Sequence, residues 1–142
     1  MASFRNKKIL VTTFSTSNPD YGYLKYLSNL QGLYKNLIVI AVPAIDFGGE
    51  SNDVKQNAVR DSLPVNIILI KPARVDKKNG VLQNDLFRWL TDDKENAHFN
   101  VDVTRDDQVY VISESGVLYA VLQKPLRAEV ISTVLDQPDV KQ

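Results

Sequence analysis

A chain of 142 residues with a hydrophobic share of 44% has the size of one domain and enough apolar side chain to build a core. Acidic and basic residues balance at 17 each, with no Lys/Arg cluster beyond pairs such as Lys7-Lys8 and Lys77-Lys78, so neither nucleic acid nor an anionic membrane is an expected partner. Cysteine is absent, which removes disulfides, thiolate metal sites and every thiol-based redox step.

The start, Met1 to Lys8, is polar, and no apolar run approaches the roughly 18 residues of a membrane-spanning helix. A soluble, cytoplasmic, single-domain protein over residues 1–142 is expected. Ile9 to Phe14 is apolar and β-branched and breaks at Ser15 to Pro19, the pattern of a buried strand entering a loop. Tyr23, Leu24, Leu27, Leu30 and Tyr34 recur at spacings of three and four, so a helix buries one face. Leu37 to Val42 is apolar throughout, as in a central strand covered on both sides, with Pro43 and Gly48-Gly49 to stop it. Ser51 or Asn52 can cap a helix through Val54, Ala58 and Val59, and a strand from Val65 to Ile70 follows Pro64.

Asn84 and Asp85 open a short helix carrying Leu86, Phe87, Trp89 and Leu90, and Thr91 to Asn100 reads as a polar loop. Val109 to Ile112 and Val117 to Leu122, joined by Ser113-Glu114-Ser115-Gly116, form a β-hairpin. Pro125 suits the first turn of a last helix with Val130, Ile131, Val134 and Leu135 on its apolar face, and the tail 137–142 is expected to fray. The order β, α, β, α, β, α, β, β, α combines parallel crossovers with a late hairpin. That is the combination an α/β protein with a thioredoxin-like fold requires, a central mixed β-sheet flanked by helices on both faces, although order alone leaves other α/β sandwiches open.

Three stretches carry a resemblance. Val42-Pro43-Ala44-Ile45-Asp46-Phe47-Gly48-Gly49 resembles the Phe-Pro-Cys-Asn-Gln-Phe-Gly-Gly of glutathione peroxidases, and Leu86-Phe87-Arg88-Trp89-Leu90 resembles their short helix. Phe99-Asn100, followed by Val109 to Ile112 and the Gly116 turn, is similar to their Trp-Asn-Phe-x-Lys-Phe-Leu-Ile segment and hairpin. The resemblance covers roughly Lys7 to Leu122 in family order and implies a thioredoxin-like fold. The family's extra strand pair before its first core strand has no full counterpart ahead of Ile9.

The family's chemistry uses a cysteine or selenocysteine, a Gln, and a Trp-Asn pair. On the resemblance, the nucleophile position falls on Ser17 or Asn18, the Gln on Asp46, the Trp on Arg105 and the Asn on Asp106. A hydroxyl has no counterpart to the thiolate-to-sulfenate step, and two carboxylates in place of neutral amides would disfavour an anionic nucleophile. Arg105 can neutralise one of them. The resemblance therefore implies a degenerate site and a pseudoenzyme: no catalytic residues, no cofactor and no metal, with a small molecule or protein as partner.

Other constellations are less compelling. Ser17, Asp46 and His98 could be imagined as a hydrolase triad, but no nucleophile-elbow motif accompanies them, and His98 reads as a solvated loop side chain. Asp92-Asp93, Asp102, Asp106 and Asp107 lack the Gly and bidentate Glu of a calcium loop and read as a solvated acidic stretch. Trp89, Phe87 and Leu90 read as core. Gly48-Gly49 lacks any phosphate-loop pattern and reads as a backbone bend. The leading expectation is a binding or regulatory module. The alternatives are an antioxidant oxidoreductase role kept from the family, including acid–base work by Asp46 and Asp106, and an oligomerisation unit using a sheet edge or the exposed tyrosines Tyr21 and Tyr26.

Overall fold

The strand at the centre of the sheet, β1 (Lys8–Phe14), is buried at all seven positions. The computed structural model describes residues 6–15, 20–47, 60–63, 66–103, 108–123 and 126–141. On one side β1 pairs in parallel with β2 (Leu37–Pro43), from Lys8 with Leu37 to Phe14 with Pro43. On the other it pairs antiparallel with β4 (Val109–Ile112), from Ile9 with Ile112 to Thr12 with Val109. The short β3 (Ile68–Leu69) extends β2 in parallel, and β5 (Leu118–Leu122) closes the far edge against β4, giving the order β3-β2-β1-β4-β5. This is the mixed sheet that the element order anticipates.

Alternation along the strands divides the core between two faces. Leu10, Phe14, Val39, Ala41, Val109, Val111 and Ala120 face Leu24, Leu27 and Leu30 of α1 (Tyr21–Leu33) and Ile131 and Leu135 of α4 (Ala128–Leu135). Ile9, Val11, Ile40, Val42, Tyr110, Ile112 and Leu118 face Phe87 and Leu90 of α2 (Asp85–Thr91). Helices thus cover both faces. Asp20 begins α1 by accepting from the Tyr23 amide at 3.0 Å, two residues earlier than the apolar spacing places the start. Asn84 caps α2 through the Leu86 amide at 2.9 Å, as expected.

Several expectations are corrected. Of the strand expected over Val65 to Ile70, Val65 lies outside the described residues and only Ile68–Leu69 is strand among the rest, with Asn66 bonded instead to Ser28 and Gln31 of α1. Gln31 in turn accepts from the Val39 amide of β2 at 2.6 Å, a ladder donor that so short a β3 leaves for a side chain. Pro43 does not stop β2 but is its last paired residue. The polar loop after Thr91 contains a one-turn helix, α3 (Asp93–Asn96), and a 3-10 turn, Lys77–Leu82, precedes α2. Tyr26, expected to be exposed, packs half-buried against the α1 face of the core, whereas Tyr21 is exposed. Val130 points outward rather than joining the apolar face of α4. Residues 60–62 are helical, while the caps Ser51 and Asn52, Val54, Ala58 and Val59, the Gly48-Gly49 bend and Pro125 lie outside the described residues.

The tail beyond α4 is held rather than frayed. Lys8 Nζ pairs with Glu114 at 2.9 Å and donates to the Gln137 carbonyl at 2.8 Å, and Ser113 Oγ donates to the Val140 carbonyl at 2.6 Å. The amide and hydroxyl of Ser115 both donate to Asp139. Tyr119, whose phenol is pushed up by burial with the Glu114 charge adding, stays protonated and donates to the Val134 carbonyl at 2.8 Å.

The hydroxyl of Thr13 is buried without a hydrogen-bond partner among the described residues, and an unmet buried hydroxyl costs stability. Thr13→Val is expected to leave the protein as stable or to stabilise it by up to about 1 kcal/mol in urea denaturation. The Ser115 hydroxyl, helped by its amide and by Lys141, lowers the Asp139 pKa. A depressed folded value means that the tail clamp is at full strength above the unfolded carboxylate value of about 3.9 and is lost as pH falls through the folded one. The Asp139 carboxyl carbon should titrate below free aspartate by NMR, and Ser115→Ala should move its midpoint upward.

Candidate functional site

The end of the sheet where β1 and β2 finish is extended by backbone bonds. The Ala44 amide reaches the Phe14 carbonyl at 2.9 Å, Ala44 bridges Ala73, and the Ile45 amide meets the Ala73 carbonyl at 2.9 Å. The chain then enters a 3-10 turn, Ile45–Phe47, which carries Asp46. Its carboxylate faces the segment ahead of the Lys77–Leu82 turn. Oδ1 accepts from the Val75 amide at 3.1 Å, and Oδ2 accepts from the Asp76 amide at 3.0 Å and from Asn79 Nδ2 at 2.6 Å. Three donors converge on one half-buried carboxylate.

Of the other positions that the resemblance marks, Ser17, Asn18, Arg105 and Asp106 lie outside the described residues, as does Asp107. Asp46 is accordingly the one member whose surroundings are described.

Beside it runs a polar layer that the sequence does not advertise. Asp102, expected in a solvated acidic stretch, is half-buried, and its Oδ1 accepts from the Lys77 amide at 2.9 Å and the Val103 amide at 2.8 Å. Gln108 is fully buried and donates to the Asp102 carbonyl at 3.0 Å and to the Tyr110 hydroxyl at 3.2 Å. The Tyr110 hydroxyl donates to the Val101 carbonyl at 3.1 Å. Burial, with the Asp102 charge adding, pushes this phenol well above its ordinary range, so it serves as a hydrogen-bonding group and not as an acid. Its ring meets Phe87 edge-on, with centroids 6.2 Å apart. Gln108 and Tyr110 share a strand face by the two-residue period, the one sequence signal that could have paired them.

Asn96 organises the segment after α2. Its Nδ2 donates to the Trp89 and Phe99 carbonyls at 2.7 and 2.9 Å, and its Oδ1 accepts from the His98 and Phe99 amides at 2.8 and 2.7 Å. His98 itself is exposed, as read from its polar neighbours. Phe87 and Leu90 are fully buried and Trp89 packs half-buried beside them, the packing role expected of the three. Among the described residues no three His, Asp or Glu side chains gather to hold a metal ion, and no helix is long and apolar enough to cross a membrane.

The sequence matches no family model and no curated protein. Solved structures are similar in three dimensions. Trgpx in its apo form superposes with a TM-score of 0.67 at 16% identity, over 98% of this chain and 87% of that one. GPX1 of T. cruzi gives 0.70 at 13% identity, over 95% and 83%. The thiol:disulfide interchange protein of Chlorobium tepidum gives 0.59 at 14% identity, over 94% and 81%.

The chain has a thioredoxin-like fold. Within this thioredoxin-like chain, Asp46 fastens the turn that follows β3 to the end of β2. Asp46→Ala leaves the Val75 and Asp76 amides without their acceptor and is expected to cost about 1–3 kcal/mol. Asp46→Asn keeps one oxygen and should cost less. Urea denaturation gives the magnitudes, and accelerated hydrogen exchange at Val75 and Asp76 would localise the effect to this contact.

Proposed function

We propose that this thioredoxin-like domain is a binding or regulatory module that performs no thiol chemistry. The reading is carried by the absence of cysteine from a chain whose fold otherwise hosts thiol-dependent reactions in its structural neighbours. Reduction of a peroxide by the family's route needs a thiolate to attack oxygen, become a sulfenic acid and be returned by a second thiol. A serine or asparagine at that position has no matching oxidation states.

The engagement of Asp46 supports the same reading. A neutral Gln can offer a donor and an acceptor to a reacting group, whereas an ionised carboxylate only accepts. The Asp46 oxygens are already turned toward Val75, Asp76 and Asn79. In this proposal the surface around Ser17, Asn18, Asp46, Arg105 and Asp106 contacts a ligand or protein, with the loop amides rather than a nucleophile as Asp46's partners.

The test is a coupled assay of hydrogen peroxide consumption with glutathione, and separately with thioredoxin and its reductase. The purified protein is expected to match a buffer blank in both. Turnover above the blank that scales with protein concentration would overturn the proposal.

A further inference from the structure

The Lys77–Leu82 turn, α2 and α3 border a cleft of about 390 Å³ whose lining includes Lys77, Gln83, Arg88, Thr91, Lys94 and Asn100. We propose that this cleft binds a small, multiply charged oxyanion, a ligand bearing phosphoryl or clustered carboxylate groups. The inference goes beyond the function proposed above, and none of the lining residues is among the positions named there.

Charge is the first argument. Three cations, Lys77, Arg88 and Lys94, come to the cleft from three different elements. Asp92 is occupied as the cap of α3, accepting from the Lys94 amide at 3.0 Å, and Asp93 sits on the exposed rim, where water weakens its repulsion. Lys94 has no ion-pair partner among the described residues. Arg88 is only loosely held: it meets the Val81 and Gln83 carbonyls at 3.4 and 3.5 Å, and Asp85, whose side chain is 96% exposed, at 3.4 Å. A planar guanidinium with weak partners can turn two of its N–H donors to an oxyanion.

Rigidity is the second. Gln83 and Thr91 line the cleft, are buried and are bonded to each other at 3.1 Å, with Gln83 also donating to the Val75 carbonyl at 2.9 Å and Thr91 to the Phe87 carbonyl at 2.6 Å. Lys77 is anchored twice, by its amide to Asp102 and by its ammonium to Asn100. A site whose floor and one of whose cations are already fixed loses little freedom on binding.

The experiment is a ¹H–¹⁵N NMR titration of the full chain with pyrophosphate and, in parallel, with citrate, at constant ionic strength. Saturable shifts centred on Lys77, Arg88, Lys94 and Asn100 are expected with at least one of them. Saturation by pyrophosphate alone assigns a phosphoryl ligand, and saturation by citrate alone assigns a carboxylate one. The double variant Arg88→Gln/Lys94→Gln, changed at two exposed positions, should weaken binding at least tenfold while its spectrum remains that of a folded protein. Linear, unsaturated shifts with both anions, or affinity unchanged in the double variant, would overturn the proposal. Should the double variant fail to fold, Lys94→Gln alone is read against the same criterion with a threefold loss expected.

Discussion

A central strand buried at every position sets the terms for the rest of the chain. β1 meets neighbours on both edges and side chains on both faces, so its amides and carbonyls have only strand partners available. Parallel pairing with β2 requires a crossover, which α1 supplies, and antiparallel pairing with β4 brings the distant second half of the chain against the first. Even Lys8, at the entrance of this strand, is largely buried and finds its counter-charge in Glu114 of the hairpin turn. The hairpin and the C-terminal tail are thereby tied to the same strand that organises the core.

Outside the sheet, order is maintained by a small number of polar side chains, each answering several backbone groups. Asp46 serves the 75–79 segment, Asp102 the Lys77 and Val103 amides, Asn96 the turn after α2, and Gln31 the open edge of β2. Each answers backbone amides that the helices and the strand ladder leave without a partner. Asp46, Asp102 and Asn96 thereby tie down the described residues 70–103 between β3 and β4, where the α-helices are short.

The same division decides what the sequence makes legible. β1, β2, the hairpin and α2 announce themselves through apolar runs, period and caps, because hydrophobic burial is encoded locally. The polar hubs do not. Asp102 and Asn96 lie in a stretch rich in Asp, Asn and Lys that reads as solvated, and nothing local distinguishes a carboxylate that accepts a distant amide from one that faces water. The tail after Gln137 fails for the same reason: its polar residues suggest fraying, while Ser113, Ser115 and Lys8, all far away in sequence, hold it. The apolar strand expected before Ile70 errs in the opposite direction, since Asn66 bends the chain toward α1 where its neighbours favour extension.

The resemblance to glutathione peroxidases and the polar hubs bear on one another at residue 46. In a thiol enzyme a group at that position has to remain available to the reacting sulfur, so it cannot also be committed to holding a loop. A carboxylate that gathers two amides and an Asn side chain is committed in this way. Once no thiol is present, that conflict disappears, and an acidic residue can stabilise the end of the sheet without cost to catalysis. A position that resembles a reactive one in sequence here serves the architecture of the loops beside it.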